Sequence, residues 1–258
     1  MISQVQTIIS KWRASVYEQT ENAEHLVSMV HSLIGSAPAS VFEPGCGTGK
    51  VLFPLAQAGH TVTGMDEDED MLFYAKKKSA LSPMRLQKAD ILISPWEKDF
   101  DCILLVSNLI NTLHTDWEYK QAQKQLIMKS AASLKKGGLI LLDFDCPVLL
   151  SPLVKSPSEK CILTGADESG NTGSMYITDT EACDKTRLLK SKIRYALTTK
   201  TGETIALNKT IVRHILTLEE TTAWLYRAGF SIEALYGSHE FHPFDEKNRR
   251  CVIAARKE

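Results

Sequence analysis

Glu43-Pro44-Gly45-Cys46-Gly47-Thr48-Gly49 (residues 43–49) is the stretch that decides the fold. It stands between a short strand-like run, Ser40-Val41-Phe42-Glu43, and a helical pattern from about Thr48 to Ala58. Glycines let a backbone turn sharply and approach a ligand closely, and a helix opening on such a turn aims unsatisfied N–H groups at what binds there. Working outward, residues 61–65 read as a second strand, 84–87 as a third, 101–106 as a fourth and 139–142 as a fifth. Helical patterns lie between them, including one over 68–78 and one capped by Asp116 that runs to about Leu134. Upstream, the first helix is expected from about Thr20 to Ile34, with Leu26, Met29, Val30 and Leu33 on one face and Gly35 at its stop. Near-continuous apolar strands alternating with helices predict a doubly wound α/β fold, its sheet seven-stranded, mostly parallel and covered on both faces.

The rhythm changes after Asp143. Residues 174–180, 187–199 and 204–215 read as longer strands, and in the middle one Leu189, Ile193, Tyr195 and Leu197 alternate with Lys190, Lys192 and Arg194. Alternation of that kind marks half-exposed antiparallel strands, with Thr201-Gly202-Glu203 as a hairpin turn. The α/β pattern returns at Thr217-Leu218-Glu219-Glu220, a capping box opening a helix to Ala228. The expected division is an N-terminal helical lid over 1–35, a ligand-binding core over 36–145, an antiparallel insertion over 146–215 that roofs the site, and the C-terminal part of the core over 216–258.

The chain has 258 residues, 43% of them hydrophobic, and a formal net charge of −1, so no global field draws it to nucleic acid. The Lys190/Lys192/Arg194 stripe reads as the solvated side of a strand. No apolar run approaches the roughly 18 residues of a membrane span. Six scattered cysteines without a C-x-x-C pair suit reduced thiols and offer no metal site. The expected setting is cytoplasmic.

Two acids extend the first motif. Asp66, with Glu67 beside it, follows the second strand, placed for a carboxylate to accept both hydroxyls of a ribose. Asp90, between Ala89 and Ile91, follows the third, where it could receive an adenine amino group. Three such features in order after consecutive strands describe a nucleotide-like ligand at the carboxyl ends of the strands. A dinucleotide-dependent oxidoreductase shares the glycine loop and the ribose acid, but its G-x-G-x-x-G pattern needs glycine where this chain has Lys50. A binding protein without turnover is the alternative from another class.

The succession resembles class I S-adenosylmethionine (SAM) dependent methyltransferases over nearly the whole chain. The likeness rests on residues 43–49, on Gly64-Met65-Asp66 with Asp70-Met71-Leu72, and on Phe100-Asp101-Cys102-Ile103-Leu104. It extends to Leu134-Lys135-Lys136-Gly137-Gly138, Leu142-Asp143-Phe144-Asp145, Thr217-Leu218-Glu219-Glu220 and Tyr236-Gly237. The set is similar to the glycine N-methyltransferase-like branch that acts on small molecules and peptides. That resemblance implies a Rossmann-like sheet and SAM as cofactor. Glu43, Gly45, Cys46, Gly47 and Gly49 would approach its methionine portion and Asp66 its ribose. Met71 would lie over the adenine, and backbone groups at Val106 and Ser107 would reach the methionine end. Tyr17 resembles the branch's N-terminal tyrosine lid. Ser107-Asn108-Leu109-Ile110 replaces the Asn-Pro-Pro-Tyr signature of nucleobase and glutamine-amide methylators, which argues against those substrates.

A hydroxyl acceptor needs a nearby base, whereas an amine needs only to arrive neutral. His114, just beyond the fourth strand, is the best-placed histidine, and Tyr17 is the second catalytic candidate. Asp143 should face the cleft, where it could bind a cationic substrate or merely anchor the loop, with Tyr176, Tyr195, Arg213 and His214 as further acceptor contacts. Without an evident base, the expected reaction is N-methylation of a small molecule or short peptide, with O-methylation as the alternative. Acids at Asp143, Asp145, Asp179 and Glu181 would also suit the arginine end of an azole-containing peptide, as in α-N-methyltransferases of the plantazolicin type.

Overall fold

The computed structural model describes residues 3–113, 115–151, 154, 159–245 and 247–258. In chain order the elements begin α1 (Gln4–Thr20), α2 (Glu24–Ile34), β1 (Ser40–Pro44), α3 (Leu52–Gln57), β2 (Thr61–Asp66), α4 (Glu69–Ser79), β3 (Arg85–Lys88) and β4 (Phe100–Leu105). A 3-10 turn at Leu109–Asn111 leads to α5 (Tyr119–Ser133), β5 (Leu134–Asp145), β6 (Lys160–Ala166) and β7 (Thr172–Cys183). Then come β8 (Leu188–Thr198), β9 (Thr204–His214), α6 (Leu218–Arg227), β10 (Phe230–Tyr236) and β11 (Arg250–Lys257). These elements form two compact units, one of Met1–Asn22 with Leu149–Arg213 and one of Ala23–Val148 with His214–Glu258.

The larger unit holds a seven-stranded sheet in the order β10-β11-β5-β4-β1-β2-β3. Strands β3, β2, β1, β4 and β5 run parallel, and β11 lies antiparallel between β5 and β10. Successive strand residues serve opposite faces. Phe42, Ile103, Leu105, Ile140 and Leu142 enter one apolar cluster, while Val41, Cys102, Leu104, Leu139 and Leu141 enter the other. Helices cover both clusters, and this explains why the sequence shows apolar runs here and no alternation. Helix α2 contributes Leu26, Met29 and Val30 to the second cluster and stops at Gly35.

The smaller unit packs α1 on the four-stranded sheet β6-β7-β8-β9. Ile9, Trp12 and Val16 meet Ile193, Tyr195, Leu197 and Ile205, and Trp12 Nε1–H donates to the Gly165 carbonyl at 3.1 Å. The opposite side of β8 carries the basic stripe. Lys192 pairs with Asp179 at 3.0 Å, and Arg194 pairs with Glu159 and lies over the Tyr176 ring.

Several local expectations are corrected. The first helix is α1, starting at Gln4, where a reciprocal capping box joins Ser3 and Gln6; the helix expected from Thr20 begins at Glu24. The glycine loop is longer than expected, since α3 starts at Leu52. Glu118, not Asp116, caps α5 through the Gln121 N–H. Strand β6 went unpredicted because its residues are mostly exposed and carry no apolar alternation. Among the described residues, no helix is long and apolar enough to cross a membrane, and no His/Cys/Asp/Glu group is arranged to hold a metal ion.

Candidate active site

The site lies within the larger unit, at the carboxyl ends of β1, β2, β3 and β4. Gly45 and Gly47 adopt φ of +72° and +53°, a left-handed backbone that glycine alone enters without strain. The N–H groups of Gly45 and Cys46 both donate to the Met65 carbonyl of β2, at 2.6 and 3.1 Å. The Asp66 carboxylate completes the tie, because Oδ2 accepts the Gly47 N–H at 2.7 Å and Oδ1 the Asp68 N–H at 2.8 Å. A carboxylate has about four lone-pair sites, so two backbone donors do not saturate it. A Cβ at Gly45 would sit 2.6 Å from Leu109 Cδ1, whereas one at Gly47 would meet nothing within 4 Å. The loop is therefore packed from behind at Gly45 and open at Gly47.

Glu43 closes the floor of the loop. It is 5% exposed, and its Oε2 has no hydrogen-bond partner among the described residues. Burial, with the nearby Asp66 charge adding to it, raises its carboxyl well above the usual carboxylate range. Cys46 is buried against Gly64 and Leu52, and the same causes push its thiol up, with Glu43 contributing. Glu67, exposed on the far side of Asp66, is raised by desolvation and by Asp90, Asp66 and Asp68. Asp68 caps α4 by accepting the N–H groups of Asp70 and Met71. Met71 is buried yet joins neither apolar cluster of the sheet.

The turn after β3 is built around Asp90. Its Oδ1 accepts the Leu92 N–H at 2.7 Å and its carbonyl the Ser94 N–H at 3.0 Å, while the Ala89 N–H donates to the Asp66 carbonyl. The Ile91 carbonyl accepts Trp96 Nε1–H at 3.0 Å. After β4, Val106 is buried, and Ser107 and Asn108 take φ of +56° and +63°. Two consecutive residues in that region store backbone strain of about 1–3 kcal/mol each, which the surroundings must hold. They do: the Ser107 N–H reaches Asp143 Oδ2, the Asn108 N–H reaches the Asp143 carbonyl, and Asn108 Oδ1 accepts the Asp145 N–H.

Burial and pairing describe the surroundings of the expected acceptor contacts. Asp143 is fully buried and already engaged. Both of its oxygens accept Arg250 Nη1, at 2.8 and 2.9 Å, and Oδ2 also lies 3.2 Å from His239 Nε2. The chain's own Arg250 is thus the cation beside this carboxylate, which also accepts the Ser107 N–H of the loop after β4. His214 is buried; its Nδ1 lies 2.9 Å from Gln123 Oε1 and its ring stacks on Tyr119, so it is a packing element at the end of β9. Tyr195 is 2% exposed under α1 and presents no surface to an acceptor. Tyr17, Tyr176 and Arg213 are half-buried in the smaller unit, and His114 lies outside the described residues. Sequence reasoning passed over Arg250, His239 and Lys129, whose contacts depend on strand register and on helix–turn packing and leave no local motif.

The buried, unpartnered Oε2 of Glu43 and the open cradle at Gly47 suit a ligand that carries an ammonium group near the loop, as SAM does. Residues 41–138 match the family model described as a methyltransferase domain. A protein of Geobacillus sp. (strain WCH70), named as a methyltransferase, is 22% identical over 84% of both chains. Among solved structures, a SAM-dependent methyltransferase from Clostridium acetobutylicum superposes with a TM-score of 0.73 at 15% identity, covering 94% of this chain and 95% of that one. SAM-bound CalS10, an amino pentose methyltransferase from Micromonospora echinaspora, gives 0.67 at 18% identity over 100% and 98%. The sugar N-methyltransferase KedS8 from Streptoalloteichus gives 0.69 at 17% identity over 93% and 88%. Residues 41–138 thus carry the methyltransferase-domain pattern, set in the fold that these SAM-dependent methyltransferases share.

Proposed function

We propose that the protein is a SAM-dependent methyltransferase that methylates an amine nitrogen of a small molecule, with the cofactor held between the glycine loop, Asp66 and the turn around Asp90. When bound, SAM would supply a sulfonium-borne methyl group to an aligned nucleophile, with the neutral thioether as the leaving group. The chain's task is to hold both partners in line and keep water out, and orientation of this kind can lower a barrier by about 7–11 kcal/mol. Glu43 would accept the ammonium of the methionine portion, and Gly45 to Gly49 would let that portion approach the backbone. Asp66 would take the ribose hydroxyls with its remaining lone pairs, Glu67 standing beside it. The Ala89-Asp90-Ile91 turn would receive the adenine amino group and Met71 would cover the ring. The backbone at Val106 and Ser107 would face the methionine end.

The observation that carries the amine reading is the engagement of Asp143 and His214, a carboxylate and an imidazole among the described residues. Asp143 is buried and held by Arg250, and His214 is buried beside Gln123 and Tyr119, so neither presents a base to a hydroxyl acceptor. The amino-sugar and sugar N-methyltransferases among the structural relatives support the same reading. A peptide acceptor with an arginine end is less favoured. Asp143, Asp145 and Asp179 already pair with Arg250, Arg249 and Lys192. O-methylation is the second reading. The test is a panel of amino sugars, short peptides and phenols incubated with methyl-labelled SAM. Label on nitrogen, with turnover rising as pH passes the acceptor's own pKa, is expected; label on oxygen alone overturns the amine reading.

Glu43 gives this reading a pH dependence. Burial raises its carboxyl above the usual range, so below that raised pKa the ligand-free protein would hold a proton that pairing with an ammonium must displace. SAM affinity should therefore rise with pH up to the elevated Glu43 pKa and level off above it. Stability should move the other way: the folded state binds the proton more tightly than the unfolded chain, so stability falls as pH rises from the ordinary glutamate value to the elevated one. Glu43→Gln should abolish both slopes. Calorimetric titrations across pH that give identical slopes for the two proteins would remove Glu43 from the ammonium site.

A further inference from the structure

We infer that Lys129, on α5, is the positioning residue that shapes the adenine-recognition turn after β3. The inference rests on the placement of adenine at residues 89–91. The Lys129 ammonium donates to three carbonyls of one turn: Ile91 at 2.6 Å, Leu92 at 3.1 Å and Ser94 at 2.6 Å. Residues 90–94 form a single helix-like turn, closed by the Ser94 N–H on the Asp90 carbonyl. A turn of this length leaves its last carbonyls without internal partners, and a cation placed there satisfies them and opposes their dipoles. Three donors on one ammonium match three carbonyls.

The lysine is held as firmly as the turn. Its Nζ lies 4.8 Å from the centre of the Trp96 ring, the Trp96 indole N–H is bonded to the Ile91 carbonyl, and the same ring packs edge-on against Phe42 of β1 at 5.0 Å. Phe42 precedes Glu43, so one side chain couples the two ends of the proposed cofactor site through packed rings. Desolvation lowers the ammonium's pKa, with the Asp90 charge opposing it, in keeping with a cation drawn into the fold to serve backbone. The Asp90 side chain is committed to the Leu92 N–H through Oδ1. The aim of its other oxygen therefore depends on the turn that Lys129 clamps.

The experiment compares two ligands, S-adenosylhomocysteine and its inosine analogue, in which a 6-oxo group replaces the 6-amino group and N1 carries a proton. Lys129→Met keeps the apolar stem on Trp96 and removes the donors. Affinity for the adenosine compound should fall about tenfold, the size of one lost hydrogen bond to a charged group, and affinity for the inosine compound should hardly change. A merely structural lysine would weaken both equally, and that result overturns the inference. So would an unchanged ratio with unchanged affinities. Should Lys129→Met fail to fold, Lys129→Arg, which keeps a cation with several donors, must retain the adenosine preference; a soluble arginine variant that has lost it refutes the clamp. Asp90→Ala separates the inference from its premise. If Asp90→Ala abolishes the preference and Lys129→Met does not, the clamp is wrong and the adenine placement stands. If Asp90→Ala leaves the preference intact, the placement itself is wrong.

Discussion

Arg250→Met should destabilise the protein by about 3 kcal/mol or more, which is large against the 5–15 kcal/mol that holds an ordinary domain together. The Asp143 side chain is 1% exposed, and Arg250 is the cation that compensates it, with two contacts under 3 Å. Breaking a buried pair by removing one partner costs about 3–5 kcal/mol, because the remaining charge is stranded out of water. The lower figure applies here, since the Arg250 side chain is 39% exposed and His239 remains beside the carboxylate. Asp143→Asn combined with Arg250→Met should recover most of the loss, because the amide carries no charge to strand. Urea denaturation of both variants measures this. A loss below about 1 kcal/mol for the single variant would mean that water or His239 already compensates Asp143. The same pair steadies the loop after β4, since Asp143 accepts the Ser107 N–H, so Arg250→Met should also weaken cofactor binding in protein that remains folded.

That pair shows where the reading of the sequence stopped. The position of Asp143 at the end of an apolar strand was plain, and so was its inward aim. Its partner stands 107 residues away and reaches it because β11 runs antiparallel beside β5 with Val252 opposite Asp143. Register of that kind comes from tertiary pairing and has no local signature. His214 and Gln123 illustrate the same limit over 91 residues. The parallel strands and the glycine loop were legible because each carries its cause locally, in unbroken apolar runs and in glycines at positive φ. Helix α1 was also legible and was passed over. Ser3-Gln4-Val5-Gln6 is a capping-box pattern, and Ile9, Trp12 and Val16 follow at helical spacing, but the polar residues between them masked the period. The burial of Tyr195 shows another limit. Strand alternation predicts which residues share a face, but not that α1 covers the face carrying Tyr195.

Gly47→Ala and Gly45→Ala should separate binding from stability within a single loop. Both replacements force an L-residue into the left-handed region, at a cost of about 1–2 kcal/mol each. At Gly45 the added methyl also meets Leu109 Cδ1 at 2.6 Å, so the 3-10 turn behind the loop must yield and stability falls further. At Gly47 the methyl meets no protein atom within 4 Å, so the fold should bear only the backbone cost. If the cofactor approaches the loop there, that methyl stands in its path. Overpacking a closely fitted contact costs about 1–3 kcal/mol, which is about fivefold to more than a hundredfold in affinity. The expected pattern is a crossed one. Gly47→Ala loses most of its affinity for S-adenosylhomocysteine with a modest shift in melting temperature, and Gly45→Ala loses more stability than affinity. Asp66→Ala provides the reference, because it removes the carboxylate that takes the Gly47 and Asp68 N–H groups and should weaken binding as severely as Gly47→Ala. Wild-type affinity in Gly47→Ala would place the cofactor away from the open side of the loop, and the role of Glu43 beneath it would fall as well.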